Sequence, residues 1–477
     1  MRNFWINFER EAGLVLLEFQ GMRVYLQPNN NTTGGRLSHM IKGFFYTAAL
    51  LCASMGAFAA NWPQWRGPNF NGSTEESNLP ITWSTTENVV WTTPLPGQSG
   101  STPIVWENSV FLASPDNQKN LNLICVNRKD GKIRWQNVVA VGDKTEGRNN
   151  MSSPSPVTDG KSVFVLFGTS DLAAFDFDGK ELWKRNLGKD YGKFAIMWIY
   201  GSSPLLFQNR LYVQVLQRTP VPKDYTHATE GKATSEESRE SYILCIDPKT
   251  GKDIWRHVRP SDALKESQEA YTTPIPFKQG DHWELAVLGG NCLTAHSLVD
   301  GKELWRCGGF NSKNDPWFRI VPSPVPGEGM LFASAPKREP LFGIKTGGSG
   351  DVTSTQVVWS FKENPTDWST PLLYKGKLFV LDGDKKVMTC LDPKTGEKKW
   401  QGNLGGGQIF WASPTGADNK IYCINENGTV VVLEAGDEFK ILATNKLEEG
   451  PVRSSVAASN GQLFIRTAQN LYCVGRL

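Results

Sequence analysis

One ordered set of marks recurs along this chain, and few folds accept it. Each copy opens on Ser/Thr-Pro and runs through an apolar strand, a polar turn and two more strands. It then reaches a Gly-Lys turn and ends on an apolar strand carrying Trp. The first copy runs from Ser101-Thr102-Pro103 to Gly131-Lys132 and Trp135, the second from Ser153-Pro154 to Gly179-Lys180 and Trp183. The third spans Ser203-Pro204 to Asp247-Pro248-Lys249-Thr250-Gly251 and Trp255, and the fourth Thr273-Pro274 to Gly301-Lys302 and Trp305. The fifth runs from Ser323-Pro324 to Trp359 with a degenerate turn. The sixth spans Thr370-Pro371 to Asp392-Pro393-Lys394-Thr395-Gly396 and Trp400. The seventh, from Ser413-Pro414, puts Ile441-Leu442 in place of Trp. Self-similarity of this kind overrides the two or three domains that 477 residues would otherwise suggest.

Each copy reads as four antiparallel strands. In Asp-Pro-Lys-Thr-Gly, Pro presets φ early in the turn and Gly takes the left-handed conformation that closes the hairpin. Trp91, Trp135, Trp183, Trp255, Trp305, Trp359 and Trp400 are apolar plates that dock between neighbouring sheets. One such sheet cannot bury both its faces, so the copies must stack radially. The segment Val452 to Cys473 lacks its Trp strand, while Asn88-Val89-Val90-Trp91-Thr92-Thr93 is a Trp strand without the preceding three. Joining them removes a raw edge. The expectation is an all-β chain: an eight-bladed β-propeller over 88–477, closed by an N-terminal strand. Residues 61–87, from Trp62-Pro63-Gln64-Trp65-Arg66-Gly67-Pro68 onward, read as a strap that lays its tryptophans on the outside.

These marks resemble the PQQ-like, or BamB-like, propeller repeat, whose signature is the Asp-x-x-Thr-Gly-Lys-x-x-Trp ending; the resemblance covers about 62–477. It implies the propeller fold but leaves function open, because fold does not carry function with it. The family includes quinoprotein dehydrogenases with pyrroloquinoline quinone and Ca²⁺ in the channel, and an outer-membrane assembly lipoprotein that works by protein contacts. Three departures weigh against the dehydrogenases. The chain has no vicinal Cys-Cys, no Cys-x-x-Cys-His, and no Asp/Glu/Asn set matching their calcium ligands and catalytic Asp. No cofactor is therefore expected, quinone and Ca²⁺ being unsupported by motif, and no metal site.

A second start at Met40 is followed by Lys42, an apolar run from Phe44 to Met55, and Ala57-Phe58-Ala59, the pattern of a Sec-type signal peptide over 40–60. Residues 1–39 then read as an extension from a misassigned start. A periplasmic or secreted location follows. Residues 1–60 hold five Lys/Arg and three Asp/Glu, so 46 basic and 45 acidic side chains remain. That balance carries no electrostatic footprint for nucleic acid, and the mature chain has no transmembrane stretch. Cys125, Cys245 and Cys390, in equivalent positions of different copies, read as buried small hydrophobes; Cys292 and Cys307 alone could bridge.

Strand 1–2 connections are tiny, as at Glu107-Asn108 and Asn460-Gly461, whereas 137–150, 187–200, 217–240, 258–270, 307–320 and 402–410 are long. The long connections share one face of a propeller, the usual place for binding. Arg148, Trp198, Tyr200, Tyr271, Trp317, Arg319, Trp368, Trp411 and Arg453 cluster near the channel-side marks. Either they form a funnel that grips an aromatic or anionic ligand, or the aromatics plug the channel and the arginines satisfy carbonyls. No catalytic residue is assigned: His227, His257, His282 and His296 share no metal spacing, and the doublets Asp176/Asp178 and Asp382/Asp384 sit in turns. The first functional expectation is a monomeric, non-catalytic binding or assembly scaffold for an envelope protein or other macromolecule. The alternatives are a divergent quinone-dependent oxidoreductase and a carbohydrate-binding propeller.

Overall fold

The structure, a computed structural model, describes residues 9–11, 14–19, 22–26 and 61–476, less 143, 222, 224–225, 228–230 and 233–236. The signal-like stretch 40–60 lies outside the described residues. The chain divides into two units, Met1–Ala59 and Ala60–Leu477. In the first, Glu9–Glu11, Leu14–Phe19 and Met22–Leu26 form an antiparallel sheet, with Glu9 opposite Leu16 and Val15 opposite Leu26.

The second unit is an eight-bladed β-propeller of four-stranded antiparallel sheets. Blade 1 comprises Ile104–Trp106, Ser109–Pro115, Asn120–Asn127 and Ile133–Val141 from the axis outward. Blades 2 to 7 follow in the order of the repeats. Blade 8 takes Ala457–Ser459, Gln462–Arg466 and Asn470–Gly475 from the C-terminal segment and Val89–Pro94 as its outer strand, with Trp91 opposite Cys473. The ring therefore closes as the split repeat predicts.

The first mark of the repeat has a role that the sequence did not reveal. The backbone N–H of each blade's first-strand Ser/Thr donates to the hydroxyl of the next blade's. The chain of bonds runs Thr102 to Ser155, Ser203, Thr273, Ser323, Thr370, Ser413 and Ser455, and from Ser455 back to Thr102, at 2.8–3.2 Å. Eight bonds close a circle around the axis, and each satisfies a buried N–H that the blade itself leaves unpaired. The second copy thus opens on Ser155-Pro156, not Ser153-Pro154; the Ser153 hydroxyl instead accepts from the Asn150 N–H at 3.0 Å.

The last mark locks neighbouring blades. Trp91, Trp135, Trp183 and Trp359 donate their indole N–H to the carbonyls of Arg128, Phe177, Pro248 and Pro393, in the turn of the next blade, at 2.7–3.0 Å. Their rings lie on that turn's glycine: a methyl group on Gly131 or Gly251 would come within 2.7 Å of Trp91 or Trp183. Both glycines have φ near +70°, so this position demands glycine twice over. Trp255 and Trp400 make longer bonds of 3.2 Å to Leu298 and Gly436. Trp305 departs from the pattern. Its indole donates at 3.1 Å to Glu284 of its own blade, because the degenerate turn of blade 5 runs instead as Gly350–Asp351, paired in parallel with Trp305–Arg306.

The strap does not lie wholly on the outside, as expected above. Trp62 pairs its backbone with Val105 of the innermost strand of blade 1, and is 1% exposed. Pro63 accepts from Thr158, Thr74 donates to Gly416, and Arg66 donates to the carbonyls of Pro371 and Pro414. Residues 61–74 therefore cross the axis on the face of the short strand 1–2 turns. The physical reason is that innermost strands present unpaired backbone edges in the channel, and the strap satisfies them. Farther on, Trp83 is buried beside Tyr422, and its backbone N–H donates to the Asn445 side-chain oxygen at 2.9 Å.

Among the described residues all seven cysteines are free and buried. Cys292 and Cys307 are not bridged, because Leu293 stands opposite Cys307 and Arg259 donates to the Cys292 sulfur at 3.2 Å. Asp176 and Asp382 accept backbone N–H groups in their turns.

Candidate functional site

With one end of the channel crossed by the strap, the axis opens at the long-loop face. There a cavity of about 260 Å³ has Trp65 of the strap on its lining, together with the hydroxyl-ring residues Thr102, Ser155, Ser203, Thr273, Thr370, Ser413 and Ser455. Around its mouth stand Arg148, Trp198, Tyr271, Arg319, Trp368, Trp411 and Arg453. Each comes from a connection between blades, so the cavity exists only when the blades are assembled.

Two of the residues expected here lie elsewhere. Tyr200 is buried between blades 2 and 3, its hydroxyl donating to Gln214 O at 2.7 Å and its ring 4.8 Å from Phe194. Trp317 is 43% exposed and carries the Lys265 ammonium at 5.3 Å. Both satisfy the aromatic pattern near a mark, but proximity in sequence does not say whether a ring turns inward. Trp65 was missed; its only signal was its place in an aromatic, proline-rich segment leading into the ring.

The mouth is built from stacked cations. The Arg148 guanidinium lies 3.7 Å from the Trp411 ring centroid and 5.2 Å from that of Trp368. Arg319 sits 5.8 Å from Trp198 and 5.6 Å from Trp368, and Trp368 meets Trp411 edge to face at 5.0 Å. Such stacking holds guanidinium planes without consuming their donors. Arg453 pairs with Glu426 at 2.8 Å and Arg319 with Glu266 at 3.3 Å. Arg148 has no ion-pair partner within 4 Å among the described residues. Partial desolvation lowers its pKa, and the like charge of Arg453 lowers it further. At Glu426 burial favours the protonated carboxyl, but the hydrogen bond from Arg453 and the charges of Arg453 and Arg148 hold it below the usual carboxylate range.

The aromatics narrow the channel, and Arg453 does donate to a carbonyl, that of Arg148, at 3.1 Å. The cavity between them remains cationic.

A calcium-bound quinone does not fit this lining. Calcium takes six to eight oxygen ligands, largely carboxylates, whereas the cavity is lined by no Asp, Glu or Cys and faces three arginines. Among the described residues no group of three or more His, Cys, Asp or Glu could hold a metal ion. Nor, among them, is any helix long and apolar enough to cross a membrane.

Comparison with known proteins agrees with the fold. A search of curated proteins finds no match. The BamB of Moraxella catarrhalis is similar at 14% identity, with a TM-score of 0.54 over 82% of this chain and 97% of that one. A europium-containing methanol dehydrogenase is similar at 12% identity, with a TM-score of 0.61 over 86% and 90%. The computationally designed Ika8 protein matches at 10% identity and a TM-score of 0.53, over 82% and 100%. An assembly factor, an enzyme and a designed scaffold thus share the architecture. The family model described as "Outer membrane protein assembly factor BamB" matches residues 73–212 and 239–476, and the chain belongs to that family.

Proposed function

We propose that this chain is a non-catalytic binding or assembly scaffold of the cell envelope, exported by the segment beginning at Met40, and that it takes a partner protein at the long-loop face. The observation that carries this reading is the cavity at the axis: a mouth of Arg148, Arg319 and Arg453 stacked on tryptophans, closed below by Trp65, with no carboxylate, cysteine or histidine on its lining. Such a set recognises charge and shape. Its Ser and Thr hydroxyls have no His, Lys or carboxylate beside them on the lining to act as a base.

The quinone-dependent reading lacks both a calcium ligand set and room below the hydroxyl ring, where Trp65 stands. Sugar binding asks for open aromatic faces, but Arg148 already covers Trp411 at 3.7 Å. A photo-crosslinking residue placed at Asn149, beside the cavity, tests the proposal against one placed at Asn108 on the opposite face. A discrete envelope protein captured from Asn149 alone is the expected result. Equal capture from both positions, or stoichiometric uptake of pyrroloquinoline quinone with dye-linked oxidation, overturns it.

A further inference from the structure

The axial cavity does not end at its rim. Arg148 and Arg453 also line a second depression of about 340 Å³ that runs outward over the top of blade 1. This arm is walled by loop backbone and amides, among them Gly97, Gln98, Gly142 and Asn150. Several of these groups are already bonded within the chain: Gly97 O accepts from Ser114 and Arg466, Gln98 O accepts from Asn150, and the Gly142 N–H donates to Lys119 O. It is the length of the arm that suits an extended chain, whereas a compact ion would use only the deep end. Two charges sit in the arm. The Asp116 carboxylate is held by the N–H groups of Gln118 and Asn120, and Lys144 lies across from it on the lining.

The junction carries a net positive charge. Arg148 is clamped between two indoles, its neighbours Arg453 and Arg319 are cations paired with Glu426 and Glu266, and the charges of Glu426 and Asp384 reach Arg148 only at longer range than an ion pair. In the strap, Arg66 is 2% exposed and donates to the carbonyls of Asn71, Pro371 and Pro414. Guanidinium planes held on aromatic faces keep their edges free for bidentate contact with a carboxylate.

Resting on the scaffold reading above, we infer that the partner segment is an extended acidic peptide. One of its Asp or Glu side chains enters the axial cavity beside Arg148, and its backbone lies along the arm over blade 1.

The test uses the purified chain and three probes: a capped synthetic peptide alternating glutamate and glycine, its glutamine counterpart, and benzenetricarboxylate. The glutamate peptide is expected to bind with an affinity that falls as salt rises, and the glutamine peptide about tenfold or more weakly. Arg148→Gln is expected to cost about tenfold for the glutamate peptide and Arg148→Lys less, both with unchanged melting because the side chain is exposed. Gln98→Glu, which adds a negative charge in the arm, is expected to weaken the peptide but not benzenetricarboxylate. Equal binding of the two peptides overturns the inference, as does benzenetricarboxylate binding as tightly as the peptide, or a Gln98→Glu chain with unchanged peptide affinity. Absence of binding by every probe, with capture from Asn149 intact, sinks the acidic-peptide assignment while leaving the scaffold reading standing; loss of capture as well sinks both.

Discussion

Blade 2 meets blade 3 in a different way from blade 4 meeting blade 5. At the first boundary Trp183 is half-buried, lies on Gly251 and donates to Pro248 at 2.8 Å. At the second, Trp305 has lost the turn it would dock on, yet it is 1% exposed, more deeply buried than any docked Trp. Its ring packs in one core cluster with Phe277, Ile344 and Val352, and its indole N–H is satisfied within its own blade. The boundary between blades 7 and 8 has no Trp on its outer strand, and there the strap supplies Trp83. Docking is thus one of several ways to fill the same wedge. What the ring requires is a buried aromatic plate in the wedge; where the turn is present it also accepts the indole N–H, whereas the Trp83 indole N–H is buried without a partner among the described residues.

Several measurements can break or sharpen that contrast. The largest effect is expected from Trp305→Ala, which empties a fully buried site and unpairs one Glu284 oxygen while the other stays bonded to His282, at a cost of about 4 kcal/mol in guanidinium unfolding. A loss no greater than that of Trp183→Ala would show that burial does not rank the two sites. Next, Gly251→Ala is expected to cost about 3 kcal/mol, since its methyl meets Trp183 at 2.7 Å. Gly280→Ala, also at positive φ but with nothing within 4 Å, should cost only about 1 kcal/mol. Equal costs would reduce the dock to a backbone effect.

Acid should loosen the blade 4 turn that receives Trp255. His296 is buried, bonded to Gly301 O at 3.0 Å and to the Thr294 hydroxyl at 2.8 Å, and burial lowers its pKa to about 3. Because the unfolded chain binds the proton first, this group's contribution is complete above an ordinary histidine pKa of about 6.5. It is lost as pH falls toward 3 and amounts to roughly 2 kcal/mol by pH 5. His296→Gln should flatten that stretch of the stability–pH curve; an unchanged slope would assign it elsewhere. The smallest effect belongs to Trp183→Phe, which keeps the plate and drops the bond to Pro248, at about 1 kcal/mol.

The ring and its count were legible because the marks recur in order, and because the stranded Trp91 strand has only one sheet to join. The second mark was misread because Ser152-Ser153-Pro154-Ser155-Pro156 offers two identical dipeptides, and only the axial hydrogen bond chooses between them. The blade 5 turn looked merely degenerate. Its conversion into an added strand depends on a long-range backbone pairing that leaves no periodic trace. Seven of the nine candidate channel residues meet at the cavity because inter-blade connections all converge on the axis. Tyr200 and Trp317 fail for a rotational reason: one side chain turns into a core and the other into solvent. The strap was misplaced because an aromatic, proline-rich segment looks the same whether it lies on a wall or across a hole.

The sheet shared between the two ends of the propeller also sets a schedule. Strand Asn470–Gly475 must be synthesised before Val89–Pro94 has a partner, and until then seven sheets wait in an arc with the hydroxyl circle open at Ser455. Arg148 and Arg453 come from opposite sides of that gap and meet only when it shuts. A chain lacking the last blade would thus present neither the cavity nor its charge, so a partner that reads the three arginines together also reads whether the ring has closed.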